Sequence, residues 1–409
     1  MASSPMRVFI ILALTLVCWF MPVVKPGLSN LPHISALAAK ISPETALSRL
    51  FTNSEIQVNW FASSFLSQIS LAQIEQILQG ITATLGQYQR VNPSGDQYLL
   101  TFEQGTVPTR IVLNSSGQIT GLLFEPPQIT AVDLDSLPTA FAELPGDASL
   151  LMLKDGVEMA SFHADEPLAV GSAFKLLILQ ALQQQIGAGE HRWEEILRVQ
   201  DAYRSLPSGR LQDWPTSTPL TLQSMATMMI SESDNTATDH LLTLVGRDAV
   251  ETLTERNRPF LSTREAFILK DPKNQQLLER YRQATERERY GILTAIADLP
   301  LPGVTIFNGG PLALDVEWFM NGRELCGAIA GVADLPPMQV NPGLANPASW
   351  QRIAFKGGSE PGVENLTTAL RDEDGHDYCV VATWNNPDGI DELKLSSFYG
   401  SALSSLKAE

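Results

Sequence analysis

The sequence predicts two folded units in series: a small α+β domain, then a larger mixed domain whose sheet is built from both ends of its own stretch. Three observations point there. A chain of 409 residues is long for one compact core. Residues 42–127 pass once from helical periodicity to strand alternation. Beyond residue 136, strand patterns stand at the beginning and end with helical patterns between, which implies an α/β or α+β sheet closed by the two ends.

In the small domain, residues 42–127, the helical half comprises Ala46–Phe51, Val58–Leu66 and Leu71–Leu85, the last with apolar residues at Ile74, Ile77, Leu78 and Ile81. The strand half comprises Gln97–Glu103, Pro108–Asn114 and Gln118–Glu125. Pro93-Ser94-Gly95 and Ser115-Ser116-Gly117 punctuate it as turns. Glu125-Pro126-Pro127 then breaks regularity, and 128–147 reads as a connector.

The larger domain, residues 148–409, opens with a strand at Ala148–Lys154, a turn at Asp155-Gly156 and a second strand at Val157–His163. Phe174–Gln185 follows as a helix apolar on nearly all faces, which suggests the buried central helix of a domain. Leu220–Ile230 and Thr236–Leu244 are helical, and Gln275–Tyr290 reads as one charged, solvated helix. Val316–Met320 reads as core. A strand starting near Arg352 and two more at Asn365–Arg371 and Tyr378–Trp384 precede a final helix, Leu393–Leu406.

Composition narrows the function. A formal charge of −17 argues against nucleic acid and anionic membrane surfaces as partners. Arg7 precedes an uncharged apolar run, 8–24, and Ala36-Leu37-Ala38-Ala39 offers a small-residue cleavage site. Residues 1–39 are therefore expected to be a signal peptide. The alternative is an uncleaved anchor, giving a membrane tether through 8–24. Either places the protein outside the cytoplasm, periplasmic or extracellular. Cys326 and Cys379 are expected as buried small hydrophobes, although export permits a pair. Five scattered histidines give no ligand spacing, so neither a metal nor another cofactor is expected.

Three motifs carry the chemistry: Ser172-Ala173-Phe174-Lys175, Ser233-Asp234-Asn235 and Lys356-Gly357-Gly358-Ser359. Ser172 stands at the start of the apolar helix, where unpaired N–H groups favour a developing anion. Lys175 lies three residues on, on the same face. Burial beside a second cation would lower its pKa and let it take the Ser172 proton. Ser233 can relay a proton to a leaving group, and the Asn235 amide can bind a substrate carbonyl. Lys356 can hold a carboxylate and polarise Ser233, and the Ser359 hydroxyl can join it on the carboxylate. The two glycines admit a substrate backbone to a strand edge. The N–H groups of Ser172 and Ser359 would form an oxyanion hole. Each motif alone also fits a helix cap or a turn; their order makes the case. Ser404-Ser405-Leu406-Lys407 matches the first pattern as a decoy.

At Ser172, Lys175, Ser233, Asn235 and Lys356 the chain resembles the class A β-lactamase and penicillin-binding family of serine acyl enzymes, over roughly 140–409. With the extra domain in front, the layout is similar to the clavulanate-cluster cephalosporin-esterase-like proteins, which carry an isomerase-like (cystatin-like) N-terminal domain. The resemblance implies a β-lactamase-like domain, α/β against all-α, with the site between them. It implies acyl-enzyme formation on Ser172 with a β-lactam, ester or related amide, then hydrolysis. The alternatives are a penicillin-binding sensor and a D,D-peptidase acting on a peptidoglycan-like substrate. One departure stands out. Where the family places a water-activating glutamate, this chain has Leu269; the nearest carboxylate, Glu265, falls four residues early and is expected to pair with Arg264 or Lys270 at the surface.

Overall fold

The computed structural model describes residues 41–406 apart from 54, 104, 126 and 130–133. The expected signal or anchor, 1–39, lies outside the described residues, as does Lys407 of the decoy motif. Among the described residues no helix is long and apolar enough to cross a membrane. The chain divides into two units, up to Thr130 and from Ala131.

The first unit packs helices α1 (Pro43–Thr52), α2 (Ser63–Leu66) and α3 (Leu71–Leu85) with an antiparallel sheet of β1 (Tyr88–Ser94), β2 (Gln97–Phe102), β3 (Gly105–Leu113), β4 (Ile119–Phe124) and β5 (Gln128–Ile129). Ser70 and Gln73 form a reciprocal cap at the start of α3. Leu47, Leu50, Ile74, Leu78 and Leu85 close onto Leu100, Phe102, Val107 and Ile119. Two details depart from expectation. Val58–Leu66 is broken into a 3-10 turn and a short helix, because Ala62 N–H donates to the Ile119 carbonyl at 2.9 Å. Strand β1 escaped the alternation test because it is a largely exposed edge strand carrying Pro93.

The second unit begins earlier than expected. Helix α4 (Leu137–Ala142) lies in the stretch read as a connector, with Leu137 and Phe141 fully buried. Then come β6 (Asp147–Lys154), β7 (Val157–Phe162), β8 (Leu168–Ala169) and α5 (Lys175–Gly187). After β9 (Ile196–Arg198) and β10 (Pro219–Thr221), the chain turns helical through α6 (Leu222–Ser231), α7 (Asn235–Val245), α8 (Arg247–Glu251) and α9 (Thr263–Lys270). The expected single helix 275–290 is two, α10 (Gln275–Gln283) and α11 (Glu286–Ile296). Thr285 ends the first continuity by capping α11, with Glu288 returning to its backbone N–H. The unit closes with β11 (Phe319–Met320), α12 (Gly322–Val332), β12 (Arg352–Glu360), β13 (Val363–Arg371), β14 (Asp377–Asn385) and α13 (Glu392–Ser405).

Its main sheet has the order β12-β13-β14-β6-β7, all antiparallel. Pairing of β6 with β14 joins the two ends of the unit, as the sequence pattern implied. One face carries Leu150, Met152, Val380 and Ala382 under α4 and α13. The other carries Leu151, Ala354, Ala369 and Val381 against the helices. There α5 is buried along Lys175–Leu179, and α6, α7, α8 and α12 surround it. Cys326 on α12 and Cys379 on β14, expected as buried small hydrophobes with a pair permitted by export, form a disulfide.

Candidate active site

The first motif does not start a helix directly. Gly171–Phe174 forms a 3-10 turn, and α5 begins at Lys175. The turn is fed by β8, which pairs with β11 through Ala169–Phe319 and Leu168–Met320. Trp318, just before β11, continues the contact: Val170 N–H donates to its carbonyl at 3.0 Å. Its indole stacks on Phe174 at 3.8 Å and donates to the Leu261 carbonyl. Val316–Met320 is thus core, as expected, and it also braces the turn that carries Ser172.

Edge strand β12 lies against that turn, and glycine is what permits it. A Cβ added to Gly358 would stand 2.1 Å from the Val170 carbonyl oxygen and 2.4 Å from the Ser172 nitrogen, closer than atoms can approach. A Cβ on Gly171 would lie 3.1 Å from the Ser359 nitrogen. The backbone nitrogens of Ser172 and Ser359 therefore belong to two segments in direct contact. Ser359 itself is exposed and Ser172 half-buried.

The second motif sits between α6 and α7. Ser233 adopts φ +55°, a left-handed conformation unusual for a residue with a side chain. Asp234 caps α7 through Ala237 N–H, and its other oxygen accepts from the N–H groups of Arg210 and Leu211 at 2.7 Å each. Ser208 Oγ donates to the Ser233 carbonyl at 2.7 Å. These bonds hold Ser233 in its strained pose.

All three motifs converge on that serine. Lys175 Nζ lies 3.1 Å from Ser233 Oγ, 2.6 Å from the Ser233 carbonyl and 2.7 Å from Asn235 Oδ1. Lys356 Nζ is also 3.1 Å from Ser233 Oγ and donates to the Gly357 carbonyl. Both lysines are buried. Burial, then the Lys356 charge, pushes the Lys175 amine well below the ordinary lysine range, against the pull of Asp234 and Asp239. Burial brings Lys356 down to about 7. Among the described residues no hydrogen bond joins the Ser172 hydroxyl to Lys175; catalytic bonds in a ligand-free site are often completed only with substrate. Asn235 spends one amide N–H on the Leu206 carbonyl at 3.0 Å, leaving its second for a ligand.

Sequence reasoning missed the support beneath this site. Asp239, one turn beyond Asn235 on α7, accepts from the N–H groups of Thr263 and Arg264 and from the Thr263 hydroxyl. It thereby pins the start of α9 to α7. Burial raises its carboxyl to about 7 despite those bonds. The only available signal was its i, i+4 spacing from Asn235.

The glutamate position is corrected in its details. Leu269 is fully buried in the core. Glu265 pairs with neither Arg264 nor Lys270. It closes a cap with Ser262 and binds Arg247 at 2.6 Å, part-buried rather than at the surface. Lys270 is itself buried, bound to Glu317 and Glu360. The decoy serines, Ser404 and Ser405, end α13 and bond only to their own helix. Among the described residues, no group of three or more acidic, histidine or cysteine side chains is arranged to hold a metal ion.

Residues 134–297 match the beta-lactamase enzyme family. No curated protein matches the chain. Among solved structures, a beta-lactamase from Sphaerobacter thermophilus is 19% identical, covering 68% of this chain and 98% of its own, with a TM-score of 0.44. A class A beta-lactamase from Bacteroides cellulosilyticus is 15% identical, covering 67% and 97%, at 0.46. PBP-A, solved in a mutant form as an acyl-enzyme complex with penicillin G, is 16% identical, covering 68% and 96%, at 0.44. The matched segment contains Ser172, Lys175, Ser233 and Asn235, and the larger unit of this chain is β-lactamase-like in fold.

Proposed function

We propose that the protein is an exported serine hydrolase that forms an acyl-enzyme on Ser172 with a β-lactam, ester or related amide. The observation that carries this reading is the Ser233 hydroxyl held 3.1 Å from each of two buried lysine nitrogens. In the proposed sequence, neutral Lys175 takes the Ser172 proton as Oγ bonds to the carbonyl carbon. The N–H groups of Ser172 and Ser359 stabilise the oxyanion. As the bond to the leaving group breaks, Ser233 passes it a proton and is resupplied from Lys175. Asn235 binds a substrate carbonyl, while Lys356 and Ser359 hold a carboxylate. Water then attacks the acyl carbon and Ser172 regains its proton. No cofactor enters this scheme.

A second reading, a penicillin-binding sensor that is acylated and released slowly, is favoured by one observation. Leu269 is sealed in the core and Glu265 is committed to Arg247 and Ser262, so neither supplies a water-activating carboxylate. A D,D-peptidase acting on peptidoglycan would use the same residues. Export is supported by the apolar segment 8–24 and by the Cys326–Cys379 disulfide, which suits an oxidising compartment. Retention of that segment would tether the protein to a membrane.

Intact-mass spectrometry after mixing with benzylpenicillin or a fluorogenic cephalosporin tests the proposal. A Ser172 adduct accompanied by product is expected of the hydrolase; a lasting adduct without product indicates the sensor. Neither adduct nor product, with Ser172→Ala indistinguishable from the parent, would sink both.

A further inference from the structure

A buried cluster beside the site is not used by the scheme above. Lys270, the last residue of α9, is 1% exposed at its side chain. Its ammonium binds Glu317, itself buried, and both oxygens of Glu360 at 2.7 and 2.9 Å. The two carboxylates belong to different segments. Glu317 immediately precedes Trp318, whose carbonyl accepts from Val170, two residues before Ser172. Glu360 immediately follows Ser359 on β12. One ammonium therefore joins the strand that carries Ser359 to the segment that braces the Ser172 turn.

Resting on the acylation reading, we infer that Lys270 is a positioning residue: through Glu317 and Glu360 it fixes the Ser172 turn and the Ser359 strand edge relative to each other. The need for such a clamp follows from the topology. Strand β12 is an edge, held by a neighbouring strand on one side only. The face it turns to Ser172 offers no side chain at Gly358 to pack or lock the contact. Lys356 anchors that face before Gly358, on Ser233, and Glu360 anchors it after, on Lys270. Burial alone would lower the Lys270 pKa, yet the two carboxylates keep it above the ordinary lysine range, so the clamp stays cationic. Geometry at the reacting atoms is sensitive: a misplacement of about 1 Å can slow a reaction about a hundredfold.

The test is stopped-flow acylation by benzylpenicillin, resolving the saturating rate from the non-covalent dissociation constant, with thermal unfolding measured alongside. Lys270→Met is expected to slow the saturating rate about tenfold or more, with the dissociation constant within about twofold of the parent. Glu360→Gln keeps an acceptor for the ammonium and the side-chain volume. It is expected to fold and to slow the same rate about threefold, which decides the matter if Lys270→Met does not fold. A folded variant of either kind that acylates at the parental rate, or that loses only affinity, overturns the inference. A parent protein that forms no Ser172 adduct overturns the acylation reading, and the inference falls with it.

Discussion

At the scale of single residues, the site is governed by what burial does to two lysines around one strained serine. Lys175 makes three contacts, the number an ammonium can donate, yet burial and the neighbouring Lys356 favour its neutral amine. Losing a proton frees a lone pair for the Ser172 hydroxyl. In the proposed scheme Lys356 has the opposite duty, because it must remain cationic to hold a carboxylate. With its pKa brought down to about 7, it is charged below that pH and neutral above it. Affinity for an anionic penicillin is therefore expected to be high below about pH 7 and to weaken as pH rises through it. The methyl ester of the same penicillin should show no such loss. Dissociation constants measured for both compounds across that range check this; parallel profiles would remove Lys356 from carboxylate recognition. These residues were legible in the sequence because each motif names its chemistry. Asp239 and Lys270 were not, since a carboxylate or an ammonium on a helix reads as solvated until its partners are seen.

At the scale of elements, the Ser172 turn depends on a ribbon only two residues wide, and its edges are closed by side chains. Asn257 pairs its amide with both backbone groups of Phe319 on β11. Asn385, at the end of β14, does the same for Ala169 on β8, at 2.8 and 2.9 Å. Each asparagine stands in for a missing strand. Ala169 is 1% exposed, so removing its partner leaves a buried donor and acceptor unsatisfied. Asn385→Ala is expected to lower stability by about 1–3 kcal/mol and to slow acylation, because Ser172 lies three residues on. Asn385→Asp, retaining the acceptor alone, should fall between. Urea unfolding and adduct formation measured together check both effects; unchanged values would mean the ribbon holds itself. Long apolar elements such as α3, α5 and the β13–β14 pair were readable because their periodicity outweighs local noise. This ribbon was not, because Ala169 and the asparagine that closes its edge, Asn385, are 216 residues apart in sequence. Nor was the break between α10 and α11, where one capping threonine overrides a continuous charged pattern.

At the scale of the larger unit, strands from its two ends meet at the centre of the sheet, so folding requires contacts of very long range. Residues 147–154 pair with 378–385, and nothing local rewards that closure in advance. The sequence indicated the closure, through strand patterns at both ends, but not what secures it. The Cys326–Cys379 disulfide spans 53 residues and ties α12 to the central strand β14. Both cysteines are buried, so they also pack as small hydrophobes, which is the part of their role that composition could show. Closing a loop of that length in the unfolded chain stabilises the fold by about 4 kcal/mol in the chain-entropy account, and commonly by less. The double variant Cys326→Ala, Cys379→Ala is therefore expected to lose about 2–4 kcal/mol, lowering the melting temperature of the larger unit by roughly 10 °C. Acylation at room temperature should be unaffected. Cys379 lies opposite Ala369, four residues along β13 from Asn365, the partner of Gly358, or about 13 Å. Calorimetry on oxidised, reduced and double-variant protein separates the contributions. Identical transitions in all three would mean that the sheet closes and holds on packing alone.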